Sequence, residues 1–180
     1  MAAKKQALRD FQSYLAQRLV AAQTSGATAS WLAVQAGEAR VLLPLSHSGE
    51  IFAWSSVRRV PYTHDWFLGV ANLRGGLFGV VDLEALLSHK PVRPHTEAEL
   101  AQSRLVALNP VLEVNCALLI ERLQGLRTID SFASSSAPGD GAPPYHGHLY
   151  ADADGTQWQE INLQVLSQHP LFLDIGAQSA

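Results

Sequence analysis

The spacing of apolar residues changes once along this chain, near residue 30. Over residues 4–23, Leu8, Phe11, Leu15, Leu19 and Ala22 recur at three- and four-residue steps, with Lys5, Arg9, Gln12 and Gln17 between them. That spacing predicts a helix with one apolar stripe, ended by Thr24-Ser25-Gly26. From Trp31 the apolar residues come in short runs divided by turn formers, which predicts strands. Trp31–Val34 and Val41–Leu45 flank Gly37, with Pro44 as an edge marker. Glu50–Trp54, Val57–Val60 and Trp66–Leu73 follow as strands, and Arg74-Gly75-Gly76 as a turn. Leu77–Leu83 is almost wholly apolar, as a strand covered on both faces is. Glu84–Ser88 reads as one helical turn that the Asp82 carboxylate caps.

In the second half, Pro91 and Pro94 mark a loop. Arg104–Leu108, Cys116–Arg122, Leu126–Ile129 and Tyr145–Tyr150 read as strands, and Gln157–Ile161 as a half-exposed one after a turn at Asp152–Thr156. Ala133–Pro144 has too few large apolar residues to build a core and reads as a long mobile loop. A short helical piece near Leu163–His169 and the apolar Leu171-Phe172-Leu173 close the pattern. The first half also echoes 80 positions later: Gly75 matches Gly155, Val81 Ile161, Leu83 Leu163, Leu86 Leu166 and His89 His169. Asp82 falls on Asn162, so both copies place a capping residue ahead of a helical turn. The echo predicts a duplicated β-unit, and the strand spacing favours small barrels over a parallel sheet with crossover helices.

Composition removes several function classes. The chain has 180 residues, 47% hydrophobic and 16% charged, with a net charge of −3. It carries no basic excess to neutralise phosphates, so no nucleic acid partner is expected. No apolar run approaches the roughly 18 residues of a membrane span, and Met-Ala-Ala-Lys-Lys-Gln does not begin a signal peptide, so no membrane insertion is expected and the expected compartment is the cytoplasm. Charge well below the usual ~25% leaves apolar surface for partners.

Chemical motifs are few. Gly75-Gly76 followed by Leu77-Phe78-Gly79 lacks the Lys-Ser or Lys-Thr of a phosphate loop. Asp152-Ala153-Asp154-Gly155 resembles part of a calcium loop, but Tyr150 and Ile161 stand where acids are required. His146 and His148 share a strand face without a compact third ligand. Cys116, the single cysteine, excludes an internal disulfide and reads as a buried thiol. No Gly-x-Ser-x-Gly elbow occurs. No catalytic, cofactor-binding or metal-binding residue is therefore expected. A hydrolase or metal enzyme assembled from scattered His and Asp residues is the alternative of another class.

The informative stretch lies between the two halves of the first unit. Residues 69–75 read Gly-Val-Ala-Asn-Leu-Arg-Gly, and residues 80–83 read Val-Val-Asp-Leu. With Glu50-Ile51 upstream, these segments resemble the CheW-like family, the coupling proteins of bacterial chemosensory arrays. The family hallmark is a strand ending in Gly-Val-x-Asn-Leu-Arg-Gly, followed by Val-x-Asp-Leu. The resemblance spans roughly residues 30–173 and is strongest in the first half. Trp31, Leu42-Leu43-Pro44-Leu45, Gly49-Glu50, Trp66-Phe67 and the N-terminal helical pattern look like the branch that controls type IV pili and twitching motility. A coupler of flagellar chemotaxis is the alternative within the family.

The resemblance implies a mainly β fold: two intertwined five-stranded SH3-like barrels with an N-terminal helix and short helical turns. It divides the chain into a helix and linker at 1–29, a CheW-like domain at 30–173 and a tail at 174–180, with subdomains near 30–90 and 100–173 exchanging strands. It implies a non-enzymatic adaptor recruited to membrane-associated, polar receptor arrays. Its partners would be the regulatory domain of a CheA-type histidine kinase and the cytoplasmic tip of a methyl-accepting chemoreceptor. By resemblance, Ile51, Leu68, Gly69 and Leu77 form the kinase-binding surface, and Glu50, Asn72, Leu73, Arg74 and Gly75 a receptor-binding or structural turn. Leu68 stands where general chemotaxis couplers often carry a polar or basic residue, which points away from a general chemotaxis kinase.

The residues carry their own physics. Arg74 lies at a turn between apolar strands, where its guanidinium can grip a carboxylate in two places, and Glu50 is the natural candidate. Such a pair fastens strand to strand or serves a partner. Asn72 suits a hydrogen bond within its turn, and Gly75 a positive φ or a close approach. Gly69 marks a bulge or a place where another backbone comes near.

Overall fold

A computed structural model describes residues 31–177. The predicted helix over 4–23 lies outside those residues. The described chain begins with three strands, β1 (Trp31–Ala36), β2 (Ala39–Pro44) and β3 (Ser48–Ala53). Next come β4 (Phe67–Leu73), β5 (Gly76–Asp82) and the short helix α1 (Leu83–Ser88). A second helix, α2 (Glu97–Gln102), precedes β6 (Arg104–Leu108), β7 (Cys116–Ile120), β8 (Arg122–Arg127) and β9 (Ser134–Ser136). The strands β10 (His146–Ala151) and β11 (Gln157–Ile161) lead into helices α3 (Leu163–Gln168) and α4 (Pro170–Leu173).

The strands form two mixed sheets, in the orders β3-β6-β7-β5-β4 and β8-β1-β2-β11-β10-β9. Each sheet borrows a hairpin from the other half of the chain. The β6–β7 hairpin sits between β3 and β5, and the β1–β2 hairpin sits between β8 and β11. Exchanging β1 with β6, β2 with β7, β3 with β8, β4 with β10 and β5 with β11 converts one order into the other, apart from β9. The registers agree residue by residue. Gly79 and Val80 lie opposite Cys116 and Ala117 in a parallel pair, as Gln159 and Glu160 lie opposite Val41 and Leu42.

The sequence echo is visible in the helix starts. Asp82 Oδ1 accepts the Ala85 N–H at 3.0 Å, and Asn162 Oδ1 accepts the Val165 N–H at 3.1 Å. Each bond satisfies one orphan amide of the first helical turn. Leu83, Leu86, Leu163 and Leu166 then plug the largest core cluster, which lies between the sheets. Leu32, Val34 and Leu43 meet Val81, Val106 and Leu118 there, so the cluster draws on both halves. The opposite face of each sheet holds a smaller cluster, around Leu73, Leu105 and Leu119 in one and Trp31, Leu42 and Trp158 in the other.

Several expectations change. One sheet has the expected five strands, but the other gains a sixth, because Ser134–Ser136 pairs with β10 inside the segment expected to be a mobile loop. Strand β2 is interior, and Pro44 is its last residue, beyond the contact with β11, so its missing N–H breaks no ladder there. Val57–Val60 is no strand, making a single bridge between Arg58 and Val70. The second-half strand expected at Leu126–Ile129 begins at Arg122. Strands β1, β6 and β7 of the borrowed hairpins expose no residue, whereas β5 exposes Leu77. The expected tail is tied down as far as Ala177: the His64 N–H donates to Ile175 and the Ala177 N–H donates to Tyr62, both at 2.9 Å.

Candidate functional site

The β4–β5 hairpin closes at the Leu73–Gly76 pair, which leaves Arg74-Gly75 as a two-residue loop. Both loop residues have positive φ, +49° and +84°. This is the turn hand that matches the twist of a hairpin. Asn72 Oδ1 accepts the Gly75 N–H at 2.9 Å and locks the loop. A Cβ on Gly75 would meet nothing within 4 Å, so the glycine serves φ and not a close approach. Arg74 pays about 1–2 kcal/mol for its left-handed backbone.

The Arg74 guanidinium reaches Glu50 on β3, with Nη1 2.6 Å from Oε1. Glu50 lies on the edge strand β3 and Arg74 on the β4–β5 loop at the far side of the five-stranded sheet, so the sheet curls as a barrel requires. Aromatic packing closes the same seam: Phe52 lies 6.4 Å from Phe78, and the Arg74 guanidinium carbon stands 6.0 Å over the Phe52 ring. The ion pair remains wet, with side chains 75% and 43% exposed. An exposed pair contributes only about 0–1 kcal/mol, so the barrel does not depend on it and a partner carboxylate can compete for Arg74. Leu73 is buried in the barrel cluster and has a structural place.

The four positions assigned to a kinase surface do not share one groove. Leu77 is 64% exposed beside an apolar groove of about 340 Å³ bounded by Val114, Phe172, Leu173 and Ile175. Ile51 is 37% exposed on the edge strand β3, opposite Val106. Leu68 is half-buried against the barrel cluster and lines a different groove. Gly69 is buried, which corrects its placement on an accessible surface. Its φ is +133°, and a Cβ there would lie 2.2 Å from the Arg58 carbonyl oxygen. The backbone that comes near Gly69 is the chain's own, with Arg58 and Val70 exchanging hydrogen bonds of 2.8 and 2.9 Å.

The internal symmetry points to residues that the sequence reading missed. Ile51 lies opposite Val106 on one borrowed hairpin, and Leu126 lies opposite Leu32 on the other. Leu126 is thus the counterpart of Ile51 and is itself 66% exposed, with Leu123 exposed on the same face. The separation between these counterparts is 75 positions, so an echo sought at 80 passes over it. Arg127 and Trp158 replace the Phe52–Phe78 contact, with the guanidinium 5.3 Å over the indole. Opposite Ala33, where the Glu50 region would fall, stands Gly125, and Asp154 replaces Arg74, so the second unit lacks the ion pair.

The remaining candidate chemistry is dispersed. Burial pushes the Cys116 thiol up to about 12, which keeps it neutral. His146 is held below its usual value by burial and then by the nearby His89. No cluster of three or more His, Cys, Asp or Glu suited to a metal ion occurs among the described residues.

A family model described as the CheW-like domain matches residues 30–170. The chain belongs to the CheW-like family. Protein PilI of Pseudomonas aeruginosa is 27% identical over 167 residues, covering 90% of this chain and 88% of PilI. A probable chemotaxis protein CheW of Rhizobium etli is 32% identical over 63 residues, covering 35% of this chain and 41% of that protein. The crystal structure of the scaffolding protein TtCheW from Thermoanaerobacter tengcongensis superposes with a TM-score of 0.61 at 19% identity, covering 77% of this chain and 86% of that one. The protein is thus a CheW-like coupling protein of chemosensory signalling. In this CheW-like chain the family motif divides by role. Val80, Val81, Asp82 and Leu83 build the core and cap, Asn72 and Gly75 set the exposed turn, and Arg74 extends from that turn to the half-exposed Glu50.

Proposed function

We propose that this CheW-like protein couples a methyl-accepting chemoreceptor to a CheA-type histidine kinase in the pathway controlling type IV pili and twitching motility. The observation that carries the pilus assignment is the extent of the likeness to PilI, over 90% of the chain, against 35% for the chemotaxis relative. The protein works in the cytoplasm, recruited to a membrane-associated array. Leu77 and Ile51 face the kinase, and Arg74 with Glu50 faces the receptor tip. An exposed arginine held by a weak pair suits a partner carboxylate, and an exposed leucine beside an apolar groove suits an apolar partner face.

Binding by isothermal titration separates these roles. The purified regulatory domain of a pilus-system kinase should bind at least about tenfold more tightly than that of a flagellar kinase, a difference of about 1.4 kcal/mol. Leu77→Asp should weaken the kinase about tenfold, and Arg74→Ala should weaken a receptor-tip fragment similarly, each with an unchanged circular dichroism spectrum. Tighter binding to the flagellar kinase would transfer the protein to flagellar chemotaxis. Unchanged binding in both variants would remove these residues from the interfaces.

A further inference from the structure

A groove of about 900 Å³ opens between the loop that follows β3 and the segment that precedes α2. Its floor is apolar. Trp54, Val57, Leu68 and Leu100 pack on the barrel cluster and also line the groove. Tyr62 stands at the lip, 81% exposed, with a φ of +61°. A bulky residue avoids that backbone region unless its surroundings impose it. Here they do: the Tyr62 carbonyl accepts the Ala177 N–H, the His64 N–H donates to Ile175, and Thr63 Oγ1 donates to the Val60 carbonyl, each at 2.9 Å. The C-terminal segment thus clamps the loop in a shape that turns an aromatic ring into water. Folding alone gives no reason to hold a tyrosine in that position, since glycine would fit the backbone without strain.

The charge on the groove is one-sided. Arg59 lines the wall and Arg58 adjoins it; both are exposed, and neither makes a salt bridge among the described residues. Arg93 also lines the groove but is occupied by Glu84, Glu99 and Glu121. Asp65 is the one carboxylate that lines the groove among the described residues. On a chain of net charge −3, two adjacent arginines without carboxylate partners beside an apolar floor are a local exception. Exposed tyrosine and arginine around an apolar pocket are the residue types that carry binding energy in protein interfaces.

We propose that this groove docks an acidic amphipathic segment of a partner protein. Apolar side chains of the segment would lie on Trp54, Val57, Leu68 and Leu100. Tyr62 would cover them, and the flanking carboxylates would meet Arg58 and Arg59. The proposal goes beyond the coupling assignment and uses neither Arg74 nor Leu77, so each can fail without the other.

The test uses the full chain, isotope-labelled with ¹⁵N, and a fluorescein-labelled helical peptide of leucines, one phenylalanine and glutamates. A matched peptide with lysine in place of glutamate is the control. Amide shifts should cluster at Tyr62–Asp65 and around Leu100, together with the Trp54 indole. Affinity should fall as salt rises. Arg58→Glu with Arg59→Glu should weaken binding about tenfold or more. Tyr62→Gly should also weaken it about tenfold, while the melting temperature holds or rises because the strain is relieved. Equal binding of the lysine peptide, shifts confined to other surfaces, or no shifts at the solubility limit would overturn the proposal. A Tyr62→Gly protein that melts earlier yet binds normally would make the tyrosine structural and overturn it as well.

Discussion

A Cβ placed on Gly69 would lie 2.2 Å from the Arg58 carbonyl oxygen and 2.9 Å from the Arg59 Cα. Both obstacles are backbone, held by the paired hydrogen bonds between Arg58 and Val70, so neither can swing aside as a side chain would. Strain at a φ of +133° adds to the clash. Gly69→Ala should therefore cost about 3 kcal/mol or more, combining overpacking with backbone strain. Gly75→Ala, with open space around it, should cost only about 1–2 kcal/mol for its left-handed φ. Urea denaturation of the two variants measures the difference, and equal losses would mean that the Arg58–Arg59 strap yields easily. The sequence marked both glycines as special and left two reasons open at each. The reason at Gly75 lies within four residues and was legible as a turn, whereas the reason at Gly69 is a strap that the apolar pattern of Val57–Val60 presents as a strand. Arg74 was legible to the extent of its partner, because an arginine between apolar strands needs a carboxylate and Glu50 was at hand.

At the scale of elements, the two helix caps look alike and carry unequal loads. Asn162 makes its bond to Val165 at the surface. Asp82 is buried, caps Ala85 through one oxygen and holds His95 Nε2 at 2.9 Å through the other, while His95 Nδ1 is buried with no partner among the described residues. Asn162→Ala should cost about 1 kcal/mol, the ordinary value of a cap. Asp82→Ala should cost about 3 kcal/mol, because it also leaves the His95 ring without its remaining hydrogen bond. Chemical denaturation separates the two, and equal costs would show that His95 finds another partner. Both caps were legible from the echo. The helix α2 was not read, although Thr96-Glu97-Ala98-Glu99 spells a capping box that the structure forms, with the Glu99 N–H donating to Thr96 Oγ1 and the Thr96 N–H donating to Glu99. Of its six residues none is fully buried and Leu100 alone packs on the barrel cluster, so the hydrophobic period that marks other helices is missing. Pairing with β9 was hidden for a related reason: three serines carry no apolar signal, and only their backbone joins the sheet.

At the scale of the whole molecule, the exchange of hairpins makes the halves interdependent. Apolar periodicity tells which residues are buried, not which strand they lie beside. The exchange was therefore implied by resemblance, and its one physical trace in the sequence is the unbroken apolar run of Cys116–Ile120, buried at every position. Among the described residues the sole neighbour of β3 is β6, and the sole neighbour of β8 is β1. Cutting after Lys90, in the irregular stretch between α1 and α2, would leave each half without the strands that flank its own. Fragment 1–90 would keep β5 without β7 and β3 without its β6 partner; fragment 91–180 would keep β11 without β2 and β8 without its β1 partner. Exposed strand edges and split core clusters of this kind are not stable alone. Each fragment by itself should show no cooperative unfolding transition. Mixed at equal concentration, the two should recover the strand signal in circular dichroism and migrate as a one-to-one complex, because the borrowed hairpins can be supplied in trans. A cooperative transition in either fragment alone would show that one barrel completes itself without the other's hairpin. The same interdependence bears on coupling. Glu50 lies on β3, which pairs with β6 from the other half, and Leu126 lies on β8, which pairs with β1 from the first, so each of these exposed strands rests on a hairpin from the opposite half. The two barrels are thus joined through shared hydrogen-bonded sheets.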